Sequence, residues 1–142
     1  MYDNIIYTIY YVNRTIQRTF LAAFREAGLY ITPDQGLIIS ALFHGHAKNQ
    51  QDIARFTGKD KTTITRALDV LIKEGYINRD TDPEDRRANM ITLTRKGIDL
   101  HNKMVVIYEK KKDEIFKGFS KEKLKTCQET LDRLISVTEL KQ

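Results

Sequence analysis

The sequence predicts a mainly α-helical protein with one small β-hairpin of two or three strands. Three observations predict it. Apolar residues recur three and four apart along most of the chain, as they do on one face of a helix. Glycine and proline are scarce, 7 and 2 of 142 residues, and fall between the periodic segments. Two candidate strands lie between Ile77 and Thr94, where Met90 to Thr94 partly alternates apolar and polar residues at the spacing of a strand.

The totals bound the function. A chain of 142 residues is most simply one domain with a real core. Its 30% charged and 41% apolar residues are those of a globular rather than a disordered chain. The net charge of +5 permits nucleic-acid binding. It is spread along the chain, with no basic tail, so a nucleic-acid site must depend on where the side chains are placed. The one cysteine, Cys127, leaves no intrachain disulfide and fits a reducing compartment. With no signal-like N-terminus and no apolar run of membrane-spanning length, the expectation is a cytoplasmic protein.

Each element has its own signals. Ile5, Ile9, Val12, Ile16, Phe20 and Phe24 form one stripe of a long first helix, with Gly28 as its C-terminal cap. In "TPDQ", Thr32 caps a second helix, Pro33 takes its first position and Gln35 reaches back, a capping box. That helix carries Ile38, Ala41 and Leu42 and ends near Gly45. A short helix follows at about Gln50 to Phe56, then the turn "TGKD". Asp60 caps the next helix through the amide of Thr62 or Thr63, with Ile64, Leu68 and Leu71 on one face and an end at Gly75. Strands are expected at about Ile77 to Arg79 and Ala88 to Thr94. A long helix runs from near Arg95 to about Gly118. Ser120 caps a last helix with Leu124, Cys127, Leu131, Leu134 and Thr138 on one face.

A short helix, a tight glycine turn and a second helix make the helix-turn-helix pattern. Ala54 is small where the helices cross, Gly58 lies four residues later where the turn needs positive φ, and Ile64 six later points inward. With Ile64 and Leu68 inward, Lys61, Thr62, Thr63, Thr65 and Arg66 fall on the outer side, at the end that enters a major groove. Threonine bonds phosphates or touches a thymine methyl, Arg66 reaches guanine or phosphate, and the helix N-terminus favours phosphate.

At this point the stretch "ITPDQGLIISAL…QQDIARFTGKDKTTITRALDVLIKEGYINRDTDPEDRRANMITLTRKG" resembles the core of the MarR family (multiple antibiotic resistance regulators) from Thr32 to Gly97. The most specific pieces are "TRALDVLIKEGYI.R" and "D.R…ITLT..G". The resemblance implies a winged helix-turn-helix core at 31–95, flanked by dimerisation helices at 1–30 and 96–142, in a homodimer. It further implies that the hairpin is a wing whose Arg87 enters a minor groove while Asp85 orients it. Minor grooves that are narrow attract arginine, and an acid two residues away fixes the guanidinium. Arg86 contacts a phosphate or solvent. The neighbouring acids Asp80, Asp82 and Glu84 either tune down non-specific affinity or pair with Arg79 and Arg86.

Other features carry weaker expectations. Cys127 shares an apolar stripe, which points to a buried structural thiol; relatives that sense oxidants use a cysteine in the first helix, which has none here. His44 and His46, two apart, point to different sides of a helix, and His101 is remote, so no metal site is expected. Tyr7, Tyr10 and Tyr11 crowd the first helix. Relatives hold phenolic or other aromatic ligands beside this helix, so Tyr10, Arg14 and His44 are candidates for an effector pocket. Acids interspersed through "KMVVIYEKKKDEIFKGF" favour a dimer-arm helix over a membrane-bound one. No catalytic motif is visible, and no cofactor is expected. The reading is a bacterial-type, ligand-responsive repressor that binds a pseudo-palindromic operator as a homodimer. A winged helix used as a protein-interaction module is the alternative.

Overall fold

The computed structural model describes residues 2–81, 83–84 and 89–139. The elements follow in the order α1 (Tyr2–Glu26), α2 (Pro33–Phe43), α3 (Gln50–Thr57), α4 (Lys61–Lys73), β1 (Ile77–Thr81), β2 (Asn89–Leu93), α5 (Arg95–Phe116) and α6 (Lys121–Glu139). Residues 1–111 form one compact unit and residues 112–142 a second. Among the described residues, no helix is long and apolar enough to cross a membrane.

The expected caps form. Thr32 Oγ1 accepts from the Gln35 amide at 3.2 Å, and the Thr32 amide donates to Gln35 Oε1 at 2.9 Å, so both halves of the capping box are made. Helix α3 has a cap that was not expected, Asn49, which accepts from the Asp52 amide at 2.8 Å. Asp60 begins α4, accepting from the Thr63 amide at 2.9 Å. Between these helices Gly58 stands at φ 66°, left-handed, and its amide closes α3 by donating to Ala54 O at 2.9 Å. A side chain at that φ would strain the turn.

Four helices and the hairpin share one core. Ile38 and Ile39 of α2, Ile53 of α3, Ile64 and Leu68 of α4 are all fully buried; Leu71, Ile77, Ile91 and Leu100 are nearly so. Each such side chain contributes about 1.5–3 kcal/mol by leaving water. Helix α2 buries adjacent positions, 38 and 39, because it packs against α3, α4 and β2 together. Leu42, expected inward, is only half-buried.

The strands pair antiparallel with Ile77 opposite Leu93, Arg79 opposite Ile91 and Thr81 opposite Asn89. β1 runs two residues further than its apolar pattern, because ladder bonds rather than apolar side chains continue it. On its other edge β2 makes one further bond, from the Ile91 amide to Lys48 O at 2.8 Å, which joins the hairpin to the loop before α3. Ala88, expected in the second strand, lies outside the described residues.

The strand ends are clamped where the chain enters α5. Thr94 leaves the strand and caps the helix. Its amide donates to Tyr76 O at 3.0 Å, its hydroxyl to Gly75 O at 2.7 Å, and its Oγ1 accepts from the Gly97 amide at 3.1 Å. Lys96 Nζ donates to Glu74 O at 2.6 Å and sits 4.6 Å from the centre of the Tyr76 ring. Gly97 is required here for space: a Cβ would overlap the Tyr76 carbonyl and press on Leu93 at 3.1 Å.

Two apolar stripes are left largely uncovered in the single chain. On α1, Ile16, Phe20 and Phe24 are half-buried, while Ile5, Ile9 and Val12 are exposed. On α6, Leu124 is half-buried and no residue is buried; Leu131, Leu134, Ile135 and Val137 are exposed. The expectation of a buried thiol is corrected accordingly: Cys127 is exposed. Periodicity identified its stripe, but a stripe is buried only where another surface covers it.

The clamp generates a stability prediction. Gly97→Ala should cost about 1–3 kcal/mol, the usual cost of forcing atoms into a filled site, read as a lower urea midpoint with helix content kept. An unchanged midpoint would mean that the junction opens without cost.

Candidate nucleic-acid interface and adjoining cavity

Helix α4 has two faces with different fates. Ile64, Ala67, Leu68 and Leu71 point into the core. The 3.6-residue period therefore turns Lys61, Thr62 and Arg66 outward, and all three are exposed. Thr63 and Thr65 lie at the margin, half-buried. Of the candidate reading residues, Lys61, Thr62 and Arg66 thus share one open surface at the start of the helix.

The two marginal threonines have their hydroxyl protons committed inside the protein. Thr63 Oγ1 donates to Asp60 Oδ2 at 2.7 Å. Thr65 Oγ1 donates to Lys61 O at 2.8 Å and accepts from Gln50 Nε2 at 2.7 Å. Asp60 also changes what the helix end can do. The Thr63 amide and hydroxyl hold its carboxyl below the usual carboxylate range. A phosphate at that end must compete with this ionised carboxylate for the Thr63 amide.

A network that the sequence reading missed lies behind this surface. Arg79 Nη2 donates to Gln50 Oε1 at 3.1 Å, and Gln50 donates onward to Thr65. Strand β1, helix α3 and helix α4 are linked through these three side chains. The sequence carried a signal for it: Arg79 has the same parity as Ile77, so it lies on the strand's inward side.

The hairpin tip is described only in part. Asp80 is exposed and pairs in register with Met90, and Glu84 is exposed in a bend. Asp82, Asp85, Arg86 and Arg87 lie outside the described residues.

A cavity of about 620 Å³ opens beside α1, α2 and α5, lined mainly by apolar side chains such as Phe20, Leu37, Met104 and Tyr108. Phe20 and Tyr108 stack with ring centres 4.8 Å apart. His44 and His101 also line it; Tyr10 and Arg14 do not. The helix advances 1.5 Å per residue, which leaves Arg14 and Tyr10 before the lining stretch of α1 that starts at Ile16.

The histidines, separate in the sequence reading, converge in space. Helix α2 ends at Phe43 and Gly45 turns at φ 72°, so the helical spacing applied to His44 and His46 does not hold. The His44 ring is 6.0 Å from that of His46 and 5.4 Å from that of His101. His101 stacks on Phe43 with centres 3.7 Å apart, and His46 stacks on Phe56 at 5.1 Å. His101 is 4% exposed, and its Nδ1 is buried without a hydrogen-bond partner. Burial, and then the neighbouring His44, lower its pKa. Among the described residues, no three His, Cys, Asp or Glu side chains are placed to hold a metal ion.

This lowered pKa couples stability to pH. Between the folded value and the unfolded value of about 6.5, the unfolded chain binds more protons. Stability is therefore fully present above about 6.5 and declines as pH falls into that window. His101→Phe, which keeps a ring on Phe43, should flatten this part of the pH–stability curve. Denaturation midpoints across the window test it, and equal slopes in both proteins would remove His101 as the cause.

Comparison with known proteins gives the same architecture. Residues 31–88 match the model of the MarR family. The fold is similar to a MarR transcriptional regulator from Methanosarcina mazei (TM-score 0.85, 25% identity, 99% of each chain). It is similar to the transcriptional regulator SlyA (TM-score 0.82, 22% identity, 94% of this chain and 93% of that one). It also resembles the transcriptional repressor CouR bound to a 23-mer DNA duplex (TM-score 0.82, 22% identity, 91% and 90%).

Proposed function

We propose that this chain, whose residues 31–88 match the MarR family model, is a winged-helix transcriptional regulator of that kind, a ligand-responsive repressor binding a pseudo-palindromic operator as a homodimer. The observation that carries DNA reading is the split of α4. Its apolar face is locked into the core, and Lys61, Thr62 and Arg66 stand free at the end that enters a major groove. Lys61 supplies a point charge for phosphate, and Arg66 a fork that matches guanine O6 and N7 or a phosphate. Thr62 contributes an uncommitted hydroxyl on the open surface, and Thr63 and Thr65 contribute their methyl groups at its margin. The wing adds Arg87 in the adjacent minor groove, oriented by Asp85, with Arg86 on a phosphate.

Two protomers related by a two-fold axis read half-sites about one helical turn apart. The exposed apolar stripes of α1 and α6 support self-association, because a monomer rarely leaves such surfaces open to water. On α5, Val106 and Phe116 are exposed as well.

The cavity beside α2 is the proposed effector site, for a small aromatic or phenolic molecule. Its walls are apolar, His44 and His101 supply polar edges, and helix α2 forms both its wall and part of the core under α4. An effector releases DNA only by binding more tightly to a dimer whose reading helices are wrongly spaced than to the DNA-bound one.

Gel shift on the DNA flanking its own gene should give a sequence-specific complex that weakens steeply as salt rises. No such complex would overturn the reading. Within it, Arg87→Ala should weaken operator binding about tenfold, from the loss of a minor-groove contact of about 1–3 kcal/mol. Dimer mass and melting temperature should stay nearly unchanged. Full affinity in this variant would remove Arg87 from the mechanism.

A further inference from the structure

Arg79 is a charged residue at an inward position of a wing strand. It shares its side of β1 with buried Ile77 and stands opposite buried Ile91. Its side chain is half-buried, and its Nε–H is buried without a partner. A buried unpaired N–H destabilises a fold, and an apolar residue at this position would not incur that cost. What the rest of the guanidinium does must account for it.

We propose that Arg79 and Gln50 are positioning residues for DNA recognition: they lock the wing strand to the reading helix and hold the Thr65 hydroxyl away from the bases. This rests on the DNA-binding reading above. The bonds form a one-way chain. Arg79 Nη2 donates to Gln50 Oε1 at 3.1 Å, Gln50 Nε2 donates to Thr65 Oγ1 at 2.7 Å, and Thr65 donates to Lys61 O at 2.8 Å. All three dipoles point the same way, so each bond strengthens the next. Both ends of the Gln50 amide are used, which sets its orientation. The chain ends on the carbonyl of Lys61, the first residue of the reading helix.

Two consequences follow. Thr65 has no proton left for a base, so its contribution to recognition is its methyl, suited to the thymine C5-methyl rather than to a hydrogen-bond acceptor. And the two elements that would act in different grooves are held at one spacing. Without the chain, the hairpin keeps its apolar packing through Ile77 and Ile91, the Thr94 junction and the Ile91–Lys48 bond, none of which is a hydrogen bond to α4.

The test uses the full chain and a duplex enriched from a randomised library by the wild-type protein. Arg79→Met should melt at the wild-type temperature or above, because it removes the unpaired N–H. It should bind the enriched duplex at least tenfold more weakly and discriminate less between enriched and scrambled duplexes. The dependence of affinity on salt should be unchanged. Gln50→Leu should lose as much, and the double variant no more than either single one.

Undiminished discrimination in both single variants overturns the proposal. So does a melting temperature that falls in step with affinity, which marks a merely structural role. A salt slope shallower by about 0.9 marks Arg79 as a phosphate contact instead. Additive losses show that the two residues act separately. If the wild-type protein enriches no sequence, the DNA-binding reading itself falls and the proposal falls with it.

Discussion

The burial of one face of α4 is the constraint on which the rest depends. Ile64, Leu68 and Leu71 are buried, and α4 packs against α2, α3 and β1. Because α4 is helical, fixing those three fixes the rotation of the helix, and with it the direction of Lys61, Thr62 and Arg66. A surface that reads DNA needs side chains placed to within a fraction of an ångström, and a buried stripe supplies that more reliably than any contact at the surface itself. Asp60 and Gly58 support the arrangement: one starts α4 and the other makes the turn that aims it.

The same core connects α4 to the cavity. Helix α2 contributes Ile38 and Ile39 to the packing under α4 and Leu37 and Ser40 to the cavity wall. Under the proposed effector reading, a ligand in the cavity would press on the side of α2 opposite the one that packs under α4. Close-packed protein interiors transmit displacements of this kind rather than absorb them. His101 joins the same elements, stacked on Phe43 at the end of α2 while lining the cavity from α5.

Much of this was legible in the sequence where the physics is local. The capping box at Thr32, the Asp60 cap and the glycine turn at Gly58 are satisfied within a few residues, so spacing alone identifies them. The α4 stripe was equally clear, because a helix this amphipathic has one way to face a core. The hairpin was less so. β1 extends to Thr81 through ladder bonds that polar residues make as well as apolar ones. The approach of His44 to His46 was not legible, because helical spacing does not apply where α2 ends at Phe43 and the chain turns at Gly45. Cys127 was misread because a stripe does not say what covers it.

The sequence by itself determined the order of elements, their caps, the inner face of α4 and the family to which they point, since each depends on neighbours within about two helical turns. Only the tertiary structure decided which distant groups meet. Arg79 reaches Gln50 across 29 positions of chain, and Gln50 reaches Thr65 across 15. His101 comes to rest on Phe43, and Gly97 lies against Tyr76. Such meetings depend on how whole helices and strands pack, and a pattern of residue types sets the face that packs without setting the partner that it finds.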